Sequence, residues 1–429
     1  MICIKDISIV DGISKTPYRG YILIDKGRVV EIGRELDIYS ENIVIIEGEG
    51  LHILPGLVDM HCHLREPGYE YKEDIESGTK SAVAGGFTSI SPMANTNPPI
   101  DNEGMVNFVK SRARTVGVVK VYPIATITKG LKGKEITEIG ELCEAGAVGI
   151  SDDGMPVVDS NVMKLALQYS KMFNMLVISH SEDLNLVADG VMNEGYMSTV
   201  LGLKGINRAV EEIGIARDII LAKNYNTPIH IAHVSTRGGV ELIRQAKHER
   251  VPITCETAPH YFSATDDWVE GYDTKTKVIP RLRTADDVEA IKEGLKDGTI
   301  DVIATDHAPH HMDEKNIEYN LAAFGISGFE TAFSLAYTNL VEKGILSLAT
   351  LVEKMSSNPA SILDIEGGKI EEGSTADMTI VDLNREYVVD VENFYSKGKN
   401  NPFNGKKLKG KVLYTIVDGK IVYERGEIL

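Results

Sequence analysis

Apolar runs of strand length alternate with longer amphipathic stretches through the central part of the chain. Eight runs have this character, and they begin at Leu57, Phe87, Val119, Ala147, Leu176, Pro228, Pro252 and Asp301. Patterns with helical periodicity follow most of them, over 73–84, 160–172, 209–222, 239–247 and 285–295. This alternation is typical of βαβ units, and eight parallel strands close naturally into a barrel. We therefore predict an α/β fold with a (β/α)8 TIM-type barrel.

The two ends of the chain differ from this centre, because both show short strand-like runs separated by tight turns. The runs at the start are ICIKDISIV, YILI, VVEIG and NIVII, and later ones lie at 376–383 and 412–417. A lone hairpin is marginal in water, so the simplest arrangement pairs both ends into one small β domain. Two independent β flaps are the alternative. The predicted limits are 1–53 and 366–429 for the β domain and 54–365 for the barrel.

Length and charge narrow the class of protein and its partners. A barrel needs about 250 residues, so a chain of 429 residues accommodates one together with a smaller domain. The formal net charge of -18 would repel nucleic acid and anionic lipid. No apolar run approaches the roughly 20 residues that span a bilayer, and the first residues lack the features of a secretory signal. We expect a cytoplasmic protein that binds a small molecule and neither nucleic acid nor membrane.

Potential metal ligands stand at the ends of five of the eight runs. These ligands are His61, His63, Asp153, His180, His233 and Asp306. The carboxyl ends of barrel strands share one rim, and imidazoles and carboxylates are usual ligands of zinc. A single buried histidine is more often a core residue, but His61 and His63 leave one face of a strand side by side. Asp152 adjoins Asp153, and only one of the two can face inward. The sequence therefore predicts a metal site at this rim.

Several motifs make the chain resemble the dihydroorotases. The segment DMHCHLREPG from Asp59 is similar to the first signature of that family, and ATDHAPH from Ala304, with Lys315, is similar to the second. The blocks MANTNP, SDDG, HVST and FGISGFET resemble further family blocks in order and spacing. A His-x-His pair is shared by the whole amidohydrolase superfamily, so the narrower combination of HLREPG, SDDG and TDHAPH carries the match. The resemblance covers nearly the whole chain.

The resemblance implies a role for each residue at the rim. It implies two zinc ions per chain, one held by His61, His63 and Asp306, the other by His180 and His233, with Asp153 as a bridge. It places the substrate carboxylate on Arg65, Asn95 and His310, and further substrate contacts on Ile279, Phe324 and Gly325. A guanidinium can donate two parallel hydrogen bonds to a carboxylate, while an amide and an imidazole supply further donors. An ion pair of Arg65 with Glu66 or Glu73 is the alternative.

The activity that the resemblance implies is zinc-dependent hydrolysis of L-dihydroorotate to N-carbamoyl-L-aspartate, run in reverse in pyrimidine synthesis. Asp306 would act as general base and then as general acid toward the leaving ring nitrogen. Another cyclic amidohydrolase, of the dihydropyrimidinase, hydantoinase or allantoinase type, is the alternative. Related hydantoinases and allantoinases use a carboxylated lysine at a strand comparable to 147–154, where this chain has Asp153. A non-catalytic scaffold is a second alternative, opposed by the full ligand set, and a homodimer stays open.

One segment departs from the family pattern. Residues 277–283 read KVIPRLR where the family usually resembles KMNPPLR, so that Ile279 and Arg281 replace the usual residues. An isoleucine side chain can neither donate nor accept a hydrogen bond. If the family contact uses the asparagine side chain, this chain leaves a polar group of the substrate unpaired. If the contact uses the main chain, Ile279 simply adds an apolar wall, and we favour this second reading.

Overall fold

A closed parallel barrel forms the centre of the computed structural model, which describes residues 1–34 and 43–429. The eight barrel strands are Leu57–Cys62, Phe87–Pro92, Lys120–Val121 with Ile124–Ala125, Gly149–Ile150, Leu176–Ser179, Ile229–Ile231, Ile253–Thr257 and Val302–Ile303. Each pairs in parallel with the next, and a parallel bridge between Cys62 and His307 closes the ring. Every strand lies within one of the eight predicted runs. The predicted barrel is confirmed.

Helices surround the barrel and connect its strands. The main ones are Ile75–Ala84, Glu103–Val116, Ile139–Ala145, Ser160–Ser170, Ala209–Tyr225, Arg237–His248, Ala285–Asp297 and Phe329–Ala336. Their starts follow from side-chain caps, because Asp74 accepts a hydrogen bond from Ser77 N and Thr236 accepts one from Gly239 N. The sequence pattern predicted helices that begin at positions 73 and 239. The caps explain why the observed helices begin at Ile75 and Arg237 instead. None of the described helices is long and apolar enough to cross a membrane.

Shorter elements occupy the connections. Short helices and helical turns lie at Lys129–Leu131, Lys171–Phe173, Leu184–Val187, Tyr196–Leu201, Pro259–Phe262, Asp266–Tyr272, Thr274–Thr276, Met312–Lys315, Tyr337–Val341, Leu348–Val352, Glu353–Ser357, Asn358–Ile362 and Val391–Asn393. Two short parallel strands, Met192–Asn193 and Gly205–Ile206, pair outside the barrel. Four of the eight connections that follow the carboxyl ends of the strands carry such elements and the other four lack them, so the rim is built largely from loops.

The two ends of the chain form one sheet of nine strands. The strands are Ile2–Ile9, Tyr18–Asp25, Arg28–Gly33, Val44–Glu47, His52–Pro55, Met378–Val388, Lys407–Val417, Lys420–Glu424 and Glu427–Ile428. Antiparallel pairing of Ile53 with Ile380 joins the amino-terminal half to the carboxyl-terminal half. This pairing confirms one β domain made from both ends rather than two flaps. Asn42, the first residue of the run NIVII, lies outside the described residues.

Apolar side chains fill the interior and leave only the rim for chemistry. One buried cluster contains Met60, Ile124 and Ile178 from the first, third and fifth barrel strands, together with Val302 from the eighth. The first, third and fifth strands are not neighbours, so these side chains meet inside the barrel, as in other barrels of this type. Full burial of such a side chain stabilises the fold by about 1.5–3 kcal/mol. The barrel is thus a packed core, and its carboxyl-terminal rim carries the polar residues.

Candidate active site

The residues that the sequence predicts for the site meet in one cavity at the carboxyl-terminal rim. The cavity has a volume of about 140 Å³ and is lined by His63, Arg65, Asn95, Asp153, Gly154, His180, His233, Ile279, Asp306, Ala308, His310, Phe324 and Gly325. His61 is the one predicted site residue outside this lining, and it is fully buried. Its ring nevertheless contacts the rings of His63 and His233, so it belongs to the same group of side chains.

The first cluster of ligand atoms surrounds His61 Nε2. This nitrogen lies 3.5 Å from Asp153 Oδ1 and 3.6 Å from Asp306 Oδ1, and no hydrogen bond within the described part of the chain satisfies it. His63 Nε2 lies 3.2 Å from Asp306 Oδ1 and 3.5 Å from Asp153 Oδ2. A buried polar atom without a partner costs about 1–3 kcal/mol. A cation between these atoms would satisfy the His61 nitrogen and both carboxylates, so the donor set fits a metal ion.

A second cluster shares Asp153 Oδ1 with His61. His180 Nδ1 is 3.1 Å and His233 Nε2 is 3.3 Å from Asp153 Oδ1, and the two ring nitrogens are 2.9 Å apart. Two imidazole lone pairs cannot face each other without a proton or a cation between them. Asp153 therefore contacts all four imidazoles, whereas Asp152 turns away and accepts hydrogen bonds from Ile127 N and Thr128 N at 2.8 and 3.0 Å. The clusters share their central carboxylate.

The charges at the centre shift its protonation equilibria. Burial alone would raise the pKa of Asp153, but the surrounding imidazoles outweigh it and hold that pKa well below the ordinary value. Burial lowers the pKa of His180, while Asp153 and Glu182 raise it to about 9 as the net result. The site thus favours carboxylate anions facing positive charge. Such a field suits a bound cation.

Residues that sequence reasoning did not select hold the predicted ligands in place. Glu256 makes a short contact with His61 Nδ1, on the ring atom opposite the candidate metal-binding nitrogen. Asp59 accepts hydrogen bonds from Thr305 N at 2.8 Å and Thr305 Oγ1 at 2.6 Å, directly before Asp306. A carboxylate on the far nitrogen of a ligating histidine fixes the ring and raises its basicity. Both residues lie within barrel strands, and a buried carboxylate in an apolar strand was the only signal available.

Arg281 is connected to the second cluster through Glu182. The guanidinium and the Glu182 carboxylate are buried and paired, and Glu182 Oε2 lies 3.5 Å from His180 Nε2. Burial raises the pKa of Glu182, but His180 and Arg281 lower it to about 2. The departure from the family pattern at this position therefore keeps Glu182 ionised beside a candidate ligand.

Replacing Glu256 by glutamine should weaken metal binding without unfolding the protein. The amide lacks the negative charge that orients and polarises His61, and losses of this kind typically reduce metal affinity about 10- to 100-fold. We would measure metal retention against a chelator together with thermal unfolding. Glu330→Gln is the matched control, since Glu330 is a partly buried carboxylate that contacts Ser81 and the backbone of Tyr395 and Ser396. Equal metal retention in both variants would contradict this role for Glu256.

The polar end of the cavity contains the predicted carboxylate-binding residues. Arg65 Nη2 lies 3.3 Å from His310 Nε2, and Arg65 Nε donates to Pro309 O at 3.2 Å. Asn95 faces the same cavity, where its Oδ1 lies 2.9 Å from His63 Nδ1. Burial lowers the pKa of His310 to about 3, with Arg65 adding to this effect, so the imidazole is neutral. A neutral ring beside a guanidinium leaves the positive charge of Arg65 free for an anion.

The alternative pairing of Arg65 with neighbouring glutamates is not what the structure shows. Glu66 Oε1 accepts a hydrogen bond from Arg112 Nε at 2.8 Å, and Glu73 Oε2 lies 3.4 Å from His307 Nε2. Both carboxylates are buried among other partners. Arg65 therefore points into the cavity that it lines.

Backbone geometry at the rim is unusual at three site residues. Arg65, His233 and Asp306 have φ angles of 62°, 36° and 47°, a region that non-glycine residues occupy at a cost of about 1–3 kcal/mol. Gly325 has a φ of 151°, and a Cβ there would lie 2.4 Å from Ala308 O. Only glycine fits so close to that carbonyl. Strain of this kind is typical of positions whose side chains must point at one spot.

Another part of the cavity wall is apolar and is fixed by a buried lysine. Ile279 and Phe324 line it, and Lys277 Nζ lies 4.4 Å from the centre of the Phe324 ring while donating to Tyr319 O at 2.7 Å. Gly325 N donates to Lys277 O at 2.9 Å. Among the described residues, the main-chain N–H and C=O of Ile279 have no hydrogen-bond partner within the protein. Both groups are therefore free for a ligand.

Comparison with known proteins agrees with this geometry. Residues 223–423 match an amidohydrolase family model, and residues 50–239 match a model described as dihydro-orotase-like. The solved L-hydantoinase (dihydropyrimidinase) from Arthrobacter aurescens is 28% identical, has a TM-score of 0.90, and is covered to 97% by the whole of this chain. The barrel with its β domain and its His/Asp rim thus define a cyclic amide hydrolase of the amidohydrolase class.

Curated relatives identify the family within this class. The dihydroorotase of Acetivibrio thermocellus is 57% identical over 426 residues, with 99% of this chain and 100% of the relative covered. The dihydroorotase of Ruminiclostridium cellulolyticum is 56% identical, with 95% of each chain covered. The chain belongs to the dihydroorotase family.

Proposed function

We propose that the protein catalyses the reversible hydrolysis of L-dihydroorotate to N-carbamoyl-L-aspartate in de novo pyrimidine biosynthesis. One observation carries the proposal. Asp153 and Arg65 line the same cavity. The Asp153 carboxylate contacts four imidazoles, and the positive charge of the Arg65 guanidinium is available to an anion. A ring amide bearing a carboxylate is the substrate that needs both features. Membership of the dihydroorotase family supports the same substrate.

The proposal includes two zinc ions per chain. His61, His63 and Asp306 would hold one, and His180 and His233 the other, with Asp153 shared by both. Imidazole nitrogen and carboxylate oxygen suit zinc, and a catalytic site keeps a position open for water. When bound, the metal supplies an activated water and a polarised carbonyl.

The protein groups position the substrate and move its protons. Arg65 and His310 would hold the substrate carboxylate, while Ile279 and Phe324 would pack against the ring. Asp306 would accept a proton from the attacking water at a carboxylate oxygen as the water oxygen bonds to the ring carbonyl carbon. The ring C–N bond then breaks, and Asp306 returns the proton to the departing nitrogen. One water is consumed, a ureido group and a carboxylic acid result, and the acid releases its proton to solvent to become a carboxylate.

Hydrolysis of an uncharged ring, as in the dihydropyrimidinase, hydantoinase and allantoinase types, is the second candidate. The structural likeness to an L-hydantoinase favours it at the level of the fold. Against it, the strand comparable to the one that carries the carboxylated lysine in those enzymes has no lysine here and ends with Asp153, and Arg65 lines the cavity. A non-catalytic scaffold is opposed by the full set of imidazoles and carboxylates that meet at the rim.

Metal analysis of the purified protein, combined with turnover of four substrates, tests the proposal. We expect about two zinc ions per chain and kcat/KM for dihydroorotate at least about 100-fold above that for dihydrouracil, hydantoin or allantoin, since a charged contact is worth several kcal/mol when desolvated. A preference for an uncharged ring would assign the protein to the second candidate. Absence of turnover on all four rings by the metal-loaded protein would favour the scaffold.

We also propose that residues 1–53 and 366–429 form the β domain and that residues 54–365 form the barrel domain. The joining of both chain ends in one sheet supports them, although the strand His52–Pro55 runs across the first limit. Formation of a homodimer and a cytoplasmic location stay predictions.

Ile279→Asn should change kcat/KM for dihydroorotate by less than about fivefold, or under roughly 1 kcal/mol. The reason is that the main-chain groups of Ile279 are unpaired within the protein, so the backbone can contact the ring whatever side chain is present. Ile279→Val is the control for altered packing, because it changes volume without adding polarity. A gain of tenfold or more with asparagine alone would show that the side chain makes the family contact, and would point to a different natural substrate.

A further inference from the structure

A segment from the carboxyl-terminal part of the chain lies against the active-site loops. We call residues 394–401 the strap. It has no regular secondary structure, and two carboxylates from the barrel hold its beginning. Glu330 Oε1 accepts hydrogen bonds from Tyr395 N at 2.8 Å and Ser396 N at 3.2 Å. Glu73 contacts Ser396 Oγ and Lys397 N. The strap is therefore anchored before it reaches the site.

Asn400, near the end of the strap, connects two active-site loops. Its Oδ1 accepts from His310 N at 3.0 Å and from Ser327 Oγ at 2.9 Å. Its Nδ2 donates to Ala308 O at 3.1 Å and to Gly325 O at 2.9 Å. One buried amide thus makes four hydrogen bonds, which uses both of its donor hydrogens and both lone pairs of its oxygen. These bonds tie residues 308–310 to residues 325–327.

The bonds of Asn400 reach the cavity through residues that line it. His310 and Gly325 face the cavity directly, and Ala308 also lines it. Pro309, between two of the bonded residues, accepts the hydrogen bond from Arg65 Nε. Gly398 packs against Pro309 so closely that a Cβ would lie 2.5 Å from the proline Cβ. The strap therefore sets the position of the wall on which Arg65 and His310 rest.

We propose that Asn400 is a positioning residue for the substrate carboxylate. Asn400 contacts neither the cavity nor the candidate metal ligands. It holds His310 and the Pro309 carbonyl in place, so that the His310 imidazole and the Arg65 guanidinium can bind the same anion. This inference rests on the proposed dihydroorotate activity. It gives a segment from the carboxyl-terminal part of the chain, outside the barrel, a role in substrate recognition.

The neighbouring residue provides a matched control. Asn401 is the same residue type and equally buried, but its Nδ2 donates to Ser327 O at 2.8 Å and to Thr331 Oγ1 at 3.1 Å. It makes no hydrogen bond to residues 308–310 within the described chain. Asn401→Ala therefore removes a buried amide from the strap while leaving the bonds to His310 N and Ala308 O intact. Asn400→Asp is a second test variant, since a carboxylate can accept from His310 N but cannot donate to either carbonyl.

The test compares Asn400→Ala, Asn400→Asp and Asn401→Ala for steady-state kinetics and hydrogen exchange. For both Asn400 variants we expect KM for dihydroorotate to rise about tenfold or more and kcat to fall less than about threefold. Exchange should accelerate in a peptide covering 306–312 without substrate present. Asn401→Ala should leave KM within about threefold of wild type and this peptide unchanged. Asn400→Asp provides the same comparison if Asn400→Ala does not fold.

Each contrary result has a definite meaning. Equal losses of kcat/KM in the Asn400 and Asn401 variants, with kcat falling as much as KM rises, would show a general structural role and overturn the proposal. Unchanged exchange over 306–312 in a folded Asn400 variant would do the same. A wild-type protein without dihydroorotate turnover would refute the proposed function, whereas the exchange comparison would still report whether Asn400 orders the loop.

Discussion

Asp306→Asn is expected to reduce kcat for dihydroorotate by about 10² to 10⁴, the range typical of losing a general acid–base group. The amide keeps the shape of the side chain but cannot take a proton from water and return it to the ring nitrogen. Both imidazole contacts of the carboxylate, to His63 at 3.2 Å and His61 at 3.6 Å, are made by Oδ1. Oδ2 is therefore the atom available for proton transfer. Steady-state kinetics with metal-loaded enzyme measures the loss.

A control on the same strand separates catalysis from folding. Asp301 stands at the other end of the eighth strand run, where it pairs with Lys247 at 2.6 Å. Asp301→Asn should leave kcat within about threefold of wild type, because it lies at the opposite end from the cavity. Metal content and thermal unfolding are compared in both variants. If Asp306→Asn with normal metal content kept more than about a tenth of kcat, the barrier would have risen by less than about 1.4 kcal/mol. Asp306 would then not be the proton carrier.

The barrel and its rim could be predicted because they follow from local rules. Strand-length apolar runs recur with helices between them, and the carboxyl ends of parallel strands must share one edge. Period two along a strand places His61 and His63 side by side, and they lie 5.5 Å apart between ring centres. The choice between Asp152 and Asp153 needed three-dimensional neighbours. Asp152 is bound by the amides of Ile127 and Thr128, which a sequence pattern does not reveal.

The supporting residues could not be predicted, because their partners are distant in sequence. Glu256 contacts His61 across 195 positions, and Asn400 reaches His310 across 90. Neither residue stands in a motif whose spacing indicates a partner. Arg281 could be noticed as a departure from the family pattern, yet its effect depends on Glu182, which lies 99 positions earlier. Strand patterns thus predicted the candidate metal ligands, the family resemblance indicated the substrate-contacting residues, and only the fold showed what holds them there.

Arg65→Met should raise KM for dihydroorotate roughly 30- to 1,000-fold, which corresponds to about 2–4 kcal/mol for removing one partner of a desolvated charge pair. Methionine retains much of the length and the apolar bulk of the arginine side chain. The rise in KM therefore measures the contribution of the positive charge and of the paired N–H donors.

Arg65→Lys separates those two contributions, because lysine keeps the charge but cannot bond a carboxylate bidentately. We expect its KM to lie between those of wild type and the methionine variant. Turnover of dihydrouracil, which lacks the carboxylate, should stay within about threefold in both variants, since the arginine would contact nothing on that ring. Equal losses on both rings would show that Arg65 supports the cavity through its bond to Pro309 O rather than by binding the anion. The substrate preference would then have to arise elsewhere, and among the described residues that line the cavity His310 is the nearest alternative donor.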